Sequence, residues 1–206
     1  MCGLIGFSSK VEYRDPSILN HRGPDSLEIR SSDDYTFIFT RLAIMDLSAR
    51  GNQPFENEDV IAMCNGEVYN YSLLKQKYPF NYKSNSDCEV ILPLYKKLGR
   101  EMCKELDSEF ALVLFDKKRK SIFAARDPIG IRPLFYGYHN GKIAFSSEVK
   151  ALLGYCEEIK AFPPGHYYFE GEFHRYCDIA NTSKTHFDNE KEVLSKIRAY
   201  LIEGVK

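Results

Sequence analysis

Short continuous apolar runs separated by turn chemistry dominate the first 176 positions, and helical spacing is confined to a few segments. Gly3-Leu4-Ile5-Gly6-Phe7 reads as a short buried strand whose glycines allow close backbone approach. From Tyr35 to Ile44 the run is aromatic and β-branched, a good strand with Arg41 inside it. Val60 to Cys64 is another buried strand and ends in Asn65-Gly66. Asn-Gly after a strand is usually a hairpin turn. Here the pattern that follows, Ser72 to Tyr78, is helical, so the dipeptide is predicted to be a strand-to-helix elbow. Phe110 to Asp116 and Ser121 to Asp127 flank a Lys-Lys-Arg-Lys turn, the pattern of a hairpin within a sandwich. Arg132 to Tyr138 with Lys142 to Ser146, and Tyr167 to Tyr176 about Gly171, predict two more hairpins.

Ser86-Asp87-Cys88-Glu89 matches a capping box, and Val90, Ile91, Leu94, Tyr95 and Leu98 follow at helical spacing, predicting a helix from about Asp87 to Leu98. The box accounts for Ser86 and Glu89 and leaves Asp87 free to point elsewhere. Ser147 to Leu153 reads as a short helix. Beyond a polar linker, Asp178 to Asn189, the stretch Glu190 to Glu203 repeats Val193, Ile197 and Leu201 on one helical face. Nothing after it could cover that face, which predicts the first element of a further domain. Many antiparallel strands and few helices give the class α+β, two sheets covered by helices.

Composition narrows the function. The 28 basic and 29 acidic side chains nearly cancel, which argues against nucleic acid or an anionic membrane as a partner held by bulk charge. No apolar run reaches the ~18 residues of a membrane span and the N-terminus lacks a signal-peptide flank, so a cytoplasmic protein is expected. The six cysteines and five histidines show no metal-ligand spacing and no disulfide framework; reduced thiols and no metal are expected.

Cys2 stands directly behind the initiator methionine. Removal of Met1 would give one residue both a thiol and a free α-amine. A thiol of pKa about 8.5 is only a few per cent ionised at neutral pH but is a strong nucleophile. An α-amine titrating near 7.7 to 8.0 is roughly a tenth unprotonated at pH 7, far more than a lysine near 10.4. It can serve as general base, directly or through one water. Taken alone, a second-position cysteine is more often an accident of a frayed terminus.

The remaining motifs decide the matter. They are Met-Cys-Gly-Leu-Ile-Gly at 1–6, His-Arg-Gly-Pro-Asp at 21–25, Arg-Leu-Ala-Ile-Met-Asp at 41–46, Asn-Gly-Glu-Val-Tyr-Asn at 65–70, Ser-Asp-Cys-Glu-Val at 86–90, Ala-Arg-Asp-Pro-Ile-Gly-Ile-Arg-Pro-Leu-Phe-Tyr at 125–136, Ser-Ser-Glu-Val-Lys-Ala-Leu at 146–152 and Phe-Pro-Pro-Gly at 162–165. In this order they make the chain resemble the class II glutamine amidotransferase domain, specifically the glutaminase domain of glutamine-hydrolysing asparagine synthetases. The resemblance implies an N-terminal-nucleophile hydrolase fold, a four-layer αββα sandwich, over residues 1–177, with 178–206 as linker and first helix of a missing ATP-dependent synthetase domain.

The resemblance also implies roles. Cys2 attacks the side-chain amide of L-glutamine, and Asn65 and Gly66 form the oxyanion hole. Arg41 holds the substrate α-carboxylate and Asp87 its α-ammonium, with Glu67 and the backbone of Ile44 and Met45 completing the pocket. His21 and Asp25 are structural. Arg-Gly-Pro-Asp and Asn-Gly-Glu-Val-Tyr-Asn favour asparagine synthetase over the sugar-phosphate and purine-pathway amidotransferases. No Ser-Gly-Gly-x-Asp-Ser loop occurs, so no cofactor is expected for this chain, ATP and Mg²⁺ being implied only for the synthetase domain that would be its partner. Oligomeric state is open, a homodimer included. Two alternatives stand beside this reading: a lobe that binds glutamine or acts as a scaffold without turnover, and another class II amidotransferase.

Overall fold

In the computed structural model, which describes residues 1–179, 181 and 189–205, the apolar runs become the inner strands of two antiparallel sheets. The elements in order are β1 (Gly3–Phe7), β2 (Ser26–Ser31), β3 (Thr36–Arg41), β4 (Phe55–Glu56), β5 (Val60–Val68), α1 (Tyr71–Lys77), α2 (Ile91–Leu98), β6 (Ser108–Asp116), β7 (Ser121–Arg126), β8 (Phe135–His139), β9 (Lys142–Ser146), β10 (Ile159–Ala161), β11 (His166–Phe169), β12 (Glu172–Arg175) and α3 (Glu190–Val205). One sheet runs β10-β8-β9-β1-β3-β2 and the other β12-β11-β7-β6-β5-β4.

Strand alternation sorts the side chains into layers. Leu4, Phe37 and Phe39 from the first sheet meet Ile61, Met63 and Val113 from the second in the core between the sheets. Their neighbours Ile5, Phe7 and Ile38 face the other way and pack on Leu19, Ala151 and Leu152. On the far side of the second sheet Ala62, Cys64, Leu112 and Leu114 receive Leu74 of α1 and Leu94 of α2. Each fully buried Leu, Ile or Phe contributes about 1.5–3 kcal/mol. The layers therefore hold by apolar burial, and the strand ends are left to carry polar groups.

β1 lies in the middle of its sheet, paired with β3 on one edge and β9 on the other, in the register Gly3↔Thr40 and Ile5↔Ser146. Two-sided pairing pins the beginning of the chain in the interior, where a terminus would ordinarily fray. Continuing the register one step places Cys2 level with Arg41 at the end of β3.

Three expectations are corrected. Asn65-Gly66 is not an elbow: β5 continues to Val68, pairing Asn65↔Ala111 and Gly66↔Phe110 across β6. The glycine serves close approach, because a Cβ at Gly66 would run into the Glu109 carbonyl and the Phe110 Cα. The capping box at Ser86 does not form, since the Glu89 carboxylate accepts instead from the Lys83 and Ser84 N–H groups at 2.8 Å each. The helix accordingly opens as a 3-10 turn, Cys88–Val90, before α2. Ser147 to Leu153 holds only the 3-10 turn Val149–Ala151, so 3-10 turns provide the helical cover on the outer face of the first sheet among the described residues.

The sequence pattern does not mark the edge strands β2, β4 and β10. The polar linker falls largely outside the described residues. α3 extends the predicted helix by two residues, to Val205, and none of its residues is buried. No helix of the described residues is long and apolar enough to cross a membrane.

Candidate active site

Cys2, Arg41, Ile44, Met45, Asn65, Gly66, Glu67 and Asp87 all line one cleft with about 100 Å³ of free volume. It opens where the end of β1 in one sheet comes over β5 in the other. The structure brings together every residue that the motifs single out, and leaves His21 and Asp25 outside. His21 pairs with Glu148 at 2.8 Å, and Asp25 accepts the Ala43 N–H at 2.7 Å.

Cys2 is half-buried against the inter-sheet core. Its sulfur accepts the Leu42 N–H at 3.4 Å, and its carbonyl accepts Arg22 Nε at 2.9 Å. Arg22 is in turn paired with Glu148 at 3.1 Å. Burial pushes the Cys2 thiol pKa up, with the Leu42 contact pulling the other way. The resting group is therefore a thiol, and reaction at neutral pH requires a base beside it. Cys64 and Cys88 also line the cleft but are buried. The adjacent Cys64 side chain, followed by burial, drives the Cys88 pKa far up. Cys2 is the thiol of the three with access.

Asn65 projects from β5 and is 2% exposed, yet its amide nitrogen Nδ2 has no hydrogen-bond partner. Buried donors are nearly always satisfied, and one left open on a cleft marks a place for an acceptor from outside the protein. The outer edge of β5 repeats the theme. Cys64 N donates to Gln53 Oε1 at 2.7 Å, and Val68 N donates to Asp87 Oδ2 at 2.7 Å. Because N–H groups alternate sides along a strand, the Gly66 N–H between them faces the same edge. Two donors from consecutive residues thus converge on the cleft.

Two charged residues, Arg41 and Asp87, line the cleft as anchors of opposite sign. Arg41 ends β3, and its guanidinium donates to Ser48 O at 2.8 Å, to Asn52 Oδ1 at 2.7 Å and to Asp46 O. Three of its five donors are thereby spent, which leaves Nε and one Nη2 proton, enough for a carboxylate. Gly51 lies against Nη2 so closely that a Cβ there would displace the guanidinium. Asp87 is buried, and with Oδ2 on Val68, its Oδ1 is left for a cation.

Asp46 ties the two anchors together. Its Oδ2 accepts the Asn85 N–H at 2.8 Å, and its Oδ1 accepts the Ser48 N–H and hydroxyl at 2.9 and 2.7 Å. These bonds, the Asn85 N–H first, hold its carboxyl down at about 2. No group of three or more His, Cys, Asp or Glu side chains among the described residues is placed to hold a metal. Arg22, Asp46 and Arg132 stand within the motifs but carry no role there, and Asn52, Gln53 and Cys64 lie outside them. Only Gln53, polar yet set between turn residues before an apolar strand, offers any local signal.

Known proteins resemble this chain in sequence and in fold. The glutamine amidotransferase domain family matches residues 1–166. A probable asparagine synthetase (glutamine-hydrolysing) of Dictyostelium discoideum is 41% identical over the whole chain, which covers 41% of that protein. The asparagine synthetase B (glutamine-hydrolysing) of Escherichia coli is 37% identical over 85% of the chain, covering 34% of its length. Among solved structures, the glutamine phosphoribosylpyrophosphate amidotransferase of B. subtilis superposes with a TM-score of 0.68 at 19% identity, over 85% of this chain and 49% of that one. A second, an allosteric regulatory enzyme of purine biosynthesis, gives 0.68 at 20% identity, over 89% and 50%. The chain belongs to the class II glutamine amidotransferase family and has its N-terminal-nucleophile fold. It spans about a third to two fifths of the length of the curated relatives it matches.

Proposed function

We propose that this chain is the glutaminase lobe of a glutamine-hydrolysing asparagine synthetase, with Cys2 as nucleophile once Met1 is removed. The observation that carries the reading is the unpartnered, buried Asn65 amide nitrogen lining the same cleft as the Cys2 thiol. Glutamine is a zwitterion, and Arg41 and Asp87 offer opposite charges for its α-carboxylate and α-ammonium. Glu67 and the backbone of Ile44 and Met45 complete the pocket. That grip aims the side-chain amide at Cys2.

The α-amine of Cys2 takes the thiol proton as sulfur attacks the amide carbon. The carbonyl oxygen becomes an oxyanion held by Asn65 Nδ2–H and the Gly66 N–H, and losing one such donor typically costs about 2.7–4 kcal/mol of barrier. The α-ammonium returns the proton to the leaving nitrogen, which departs as ammonia and leaves a γ-glutamyl thioester. Water, deprotonated by the same amine, cleaves the thioester to glutamate and restores the thiol. Glutamine and one water give glutamate and ammonia.

Residues 1–177 form this domain. Residues 178–206 are linker and first helix of a synthetase segment such as would fill the remaining length of the relatives. That segment uses ATP and Mg²⁺ to activate aspartate for amidation, and no cofactor is assigned to residues 1–177. The test is direct. Mass spectrometry is expected to show the mature chain without Met1, and glutamate release from glutamine is expected to disappear in Cys2→Ala. A chain that keeps Met1 and releases no glutamate is a glutamine-binding or scaffold lobe instead. Asparagine formation when the downstream segment is supplied separates this reading from another class II amidotransferase.

A further inference from the structure

We propose that Gln53 is a positioning residue for the oxyanion donors, its side-chain amide standing in for a strand that β5 lacks. β4 is two residues long and pairs only with Ile61 and Ala62, through Glu56↔Ile61 and Phe55↔Ala62. The next residue of β5 that faces this edge, Cys64, is 2% exposed and has no strand opposite it. Gln53 closes the gap with a reciprocal pair: Oε1 accepts the Cys64 N–H at 2.7 Å, and Nε2 donates to the Cys64 carbonyl at 3.0 Å. A primary amide presents the same donor and acceptor as a peptide group, so the pair reproduces one rung of an antiparallel ladder.

The rung falls one peptide before the reaction centre. The Cys64 carbonyl belongs to the peptide plane that carries the Asn65 nitrogen, so holding it fixes the direction in which the Asn65 side chain leaves β5. The Gly66 N–H follows in the next plane. Gln53 is itself buried and lines the cleft, but its amide is committed to Cys64 and does not reach toward substrate. It adjoins Asn52, whose Oδ1 accepts from Arg41 at 2.7 Å. One segment, residues 46–53, therefore braces both the carboxylate anchor and the oxyanion donors, and Gln53 is the part that acts on the chemical step. An oxyanion hole works through preorganisation, so a donor free to swing loses most of its effect without any loss of substrate contacts.

The inference rests on the oxyanion role proposed for Asn65, and the test separates the two. In the chain freed of Met1, Gln53→Met keeps the volume and removes both hydrogen bonds. It is expected to lower kcat for glutamine hydrolysis about tenfold or more while KM stays within about twofold, the signature of an interaction made in the transition state. In an Asn65→Ala background the same substitution is expected to lower kcat by a clearly smaller factor, about threefold or less, because only the Gly66 N–H is left to position. Gln53→Glu, which keeps the acceptor for Cys64 N–H and loses the donor, reports the same split if the methionine variant does not fold. An unchanged kcat in a folded Gln53 variant, a rise in KM alone, or an undiminished loss in the Asn65→Ala background overturns the inference and leaves the oxyanion role standing. Wild-type kcat in Asn65→Ala overturns both.

Discussion

Asp46 sits between the two charged anchors of the cleft, and its carboxylate has a partner on each side, Ser48 beside Arg41 and Asn85 beside Asp87. The span between those anchors has to match the zwitterion, so the bridge controls affinity more than chemistry. Asp46→Asn turns an amide N–H toward a donor it cannot accept from, and is expected to raise KM for glutamine about five- to tenfold with kcat little changed. The pH dependence has a definite sign. The folded pKa of about 2 lies below the ordinary 3.8, so the stabilising contribution is complete above that ordinary value and is lost as pH falls through about 2. The difference in melting temperature between wild type and Asp46→Asn should therefore narrow between about pH 4 and pH 2 and be flat above it. A gap that stays constant across this range would show that the carboxylate does not bridge the loops. The motifs single out eight residues that the structure places along the cleft, because each motif holds the backbone and the reactive group within a few positions. Asp46, Asn52 and Gln53 are not legible as site residues, since their partners are backbone groups and a guanidinium that only the fold brings near.

Among the elements, the strands buried on both faces were the readable ones. Phe110–Asp116 and Ser121–Arg126 are continuous apolar runs because each lies between neighbours in the middle of a sheet. β2, Ser-Leu-Glu-Ile-Arg-Ser, escaped because it is an edge strand whose apolar residues Leu27 and Ile29 stay 39% and 46% exposed, so its alternation resembles a surface loop. The turn before α2 departs from its sequence pattern for another reason. Ser86 and Glu89 have the spacing of a capping box, but Glu89, 2% exposed, spends its carboxylate on Lys83 N, Ser84 N and the Ser84 hydroxyl at 2.7–2.8 Å. It braces the loop ahead of the helix, and that loop delivers Asp87 to the cleft. Glu89→Gln replaces one charged acceptor with a donor facing donors, and should destabilise the fold by about 1.5–3 kcal/mol, measured by denaturant unfolding, and raise KM for glutamine through Asp87. A stability loss with unchanged KM would mean that the loop finds its place without this brace.

At the scale of the molecule, the two sheets and their three cores are complete without the last element. The family match ends at residue 166, and β12 closes the second sheet at Arg175. α3 presents Val193, Ile197 and Leu201 at 38%, 50% and 65% exposure, with no residue of the helix buried. A helix with no fully buried residue contributes little to global stability, since helices of this length hold in proteins mainly by packing an amphipathic face. A chain ending at Cys177 is accordingly expected to melt within about 2 °C of the longer one and to keep its glutaminase activity. The same apolar row gives the opposite expectation once the synthetase segment is present. α3 should then become protected, with slowed amide exchange across Glu190–Val205, because the row has a surface to cover it. Loss of folding on truncation would put α3 inside the glutaminase domain and move the domain boundary from 177 to the helix end. Equal exchange with and without the downstream segment would leave the apolar row unexplained by the proposed partner.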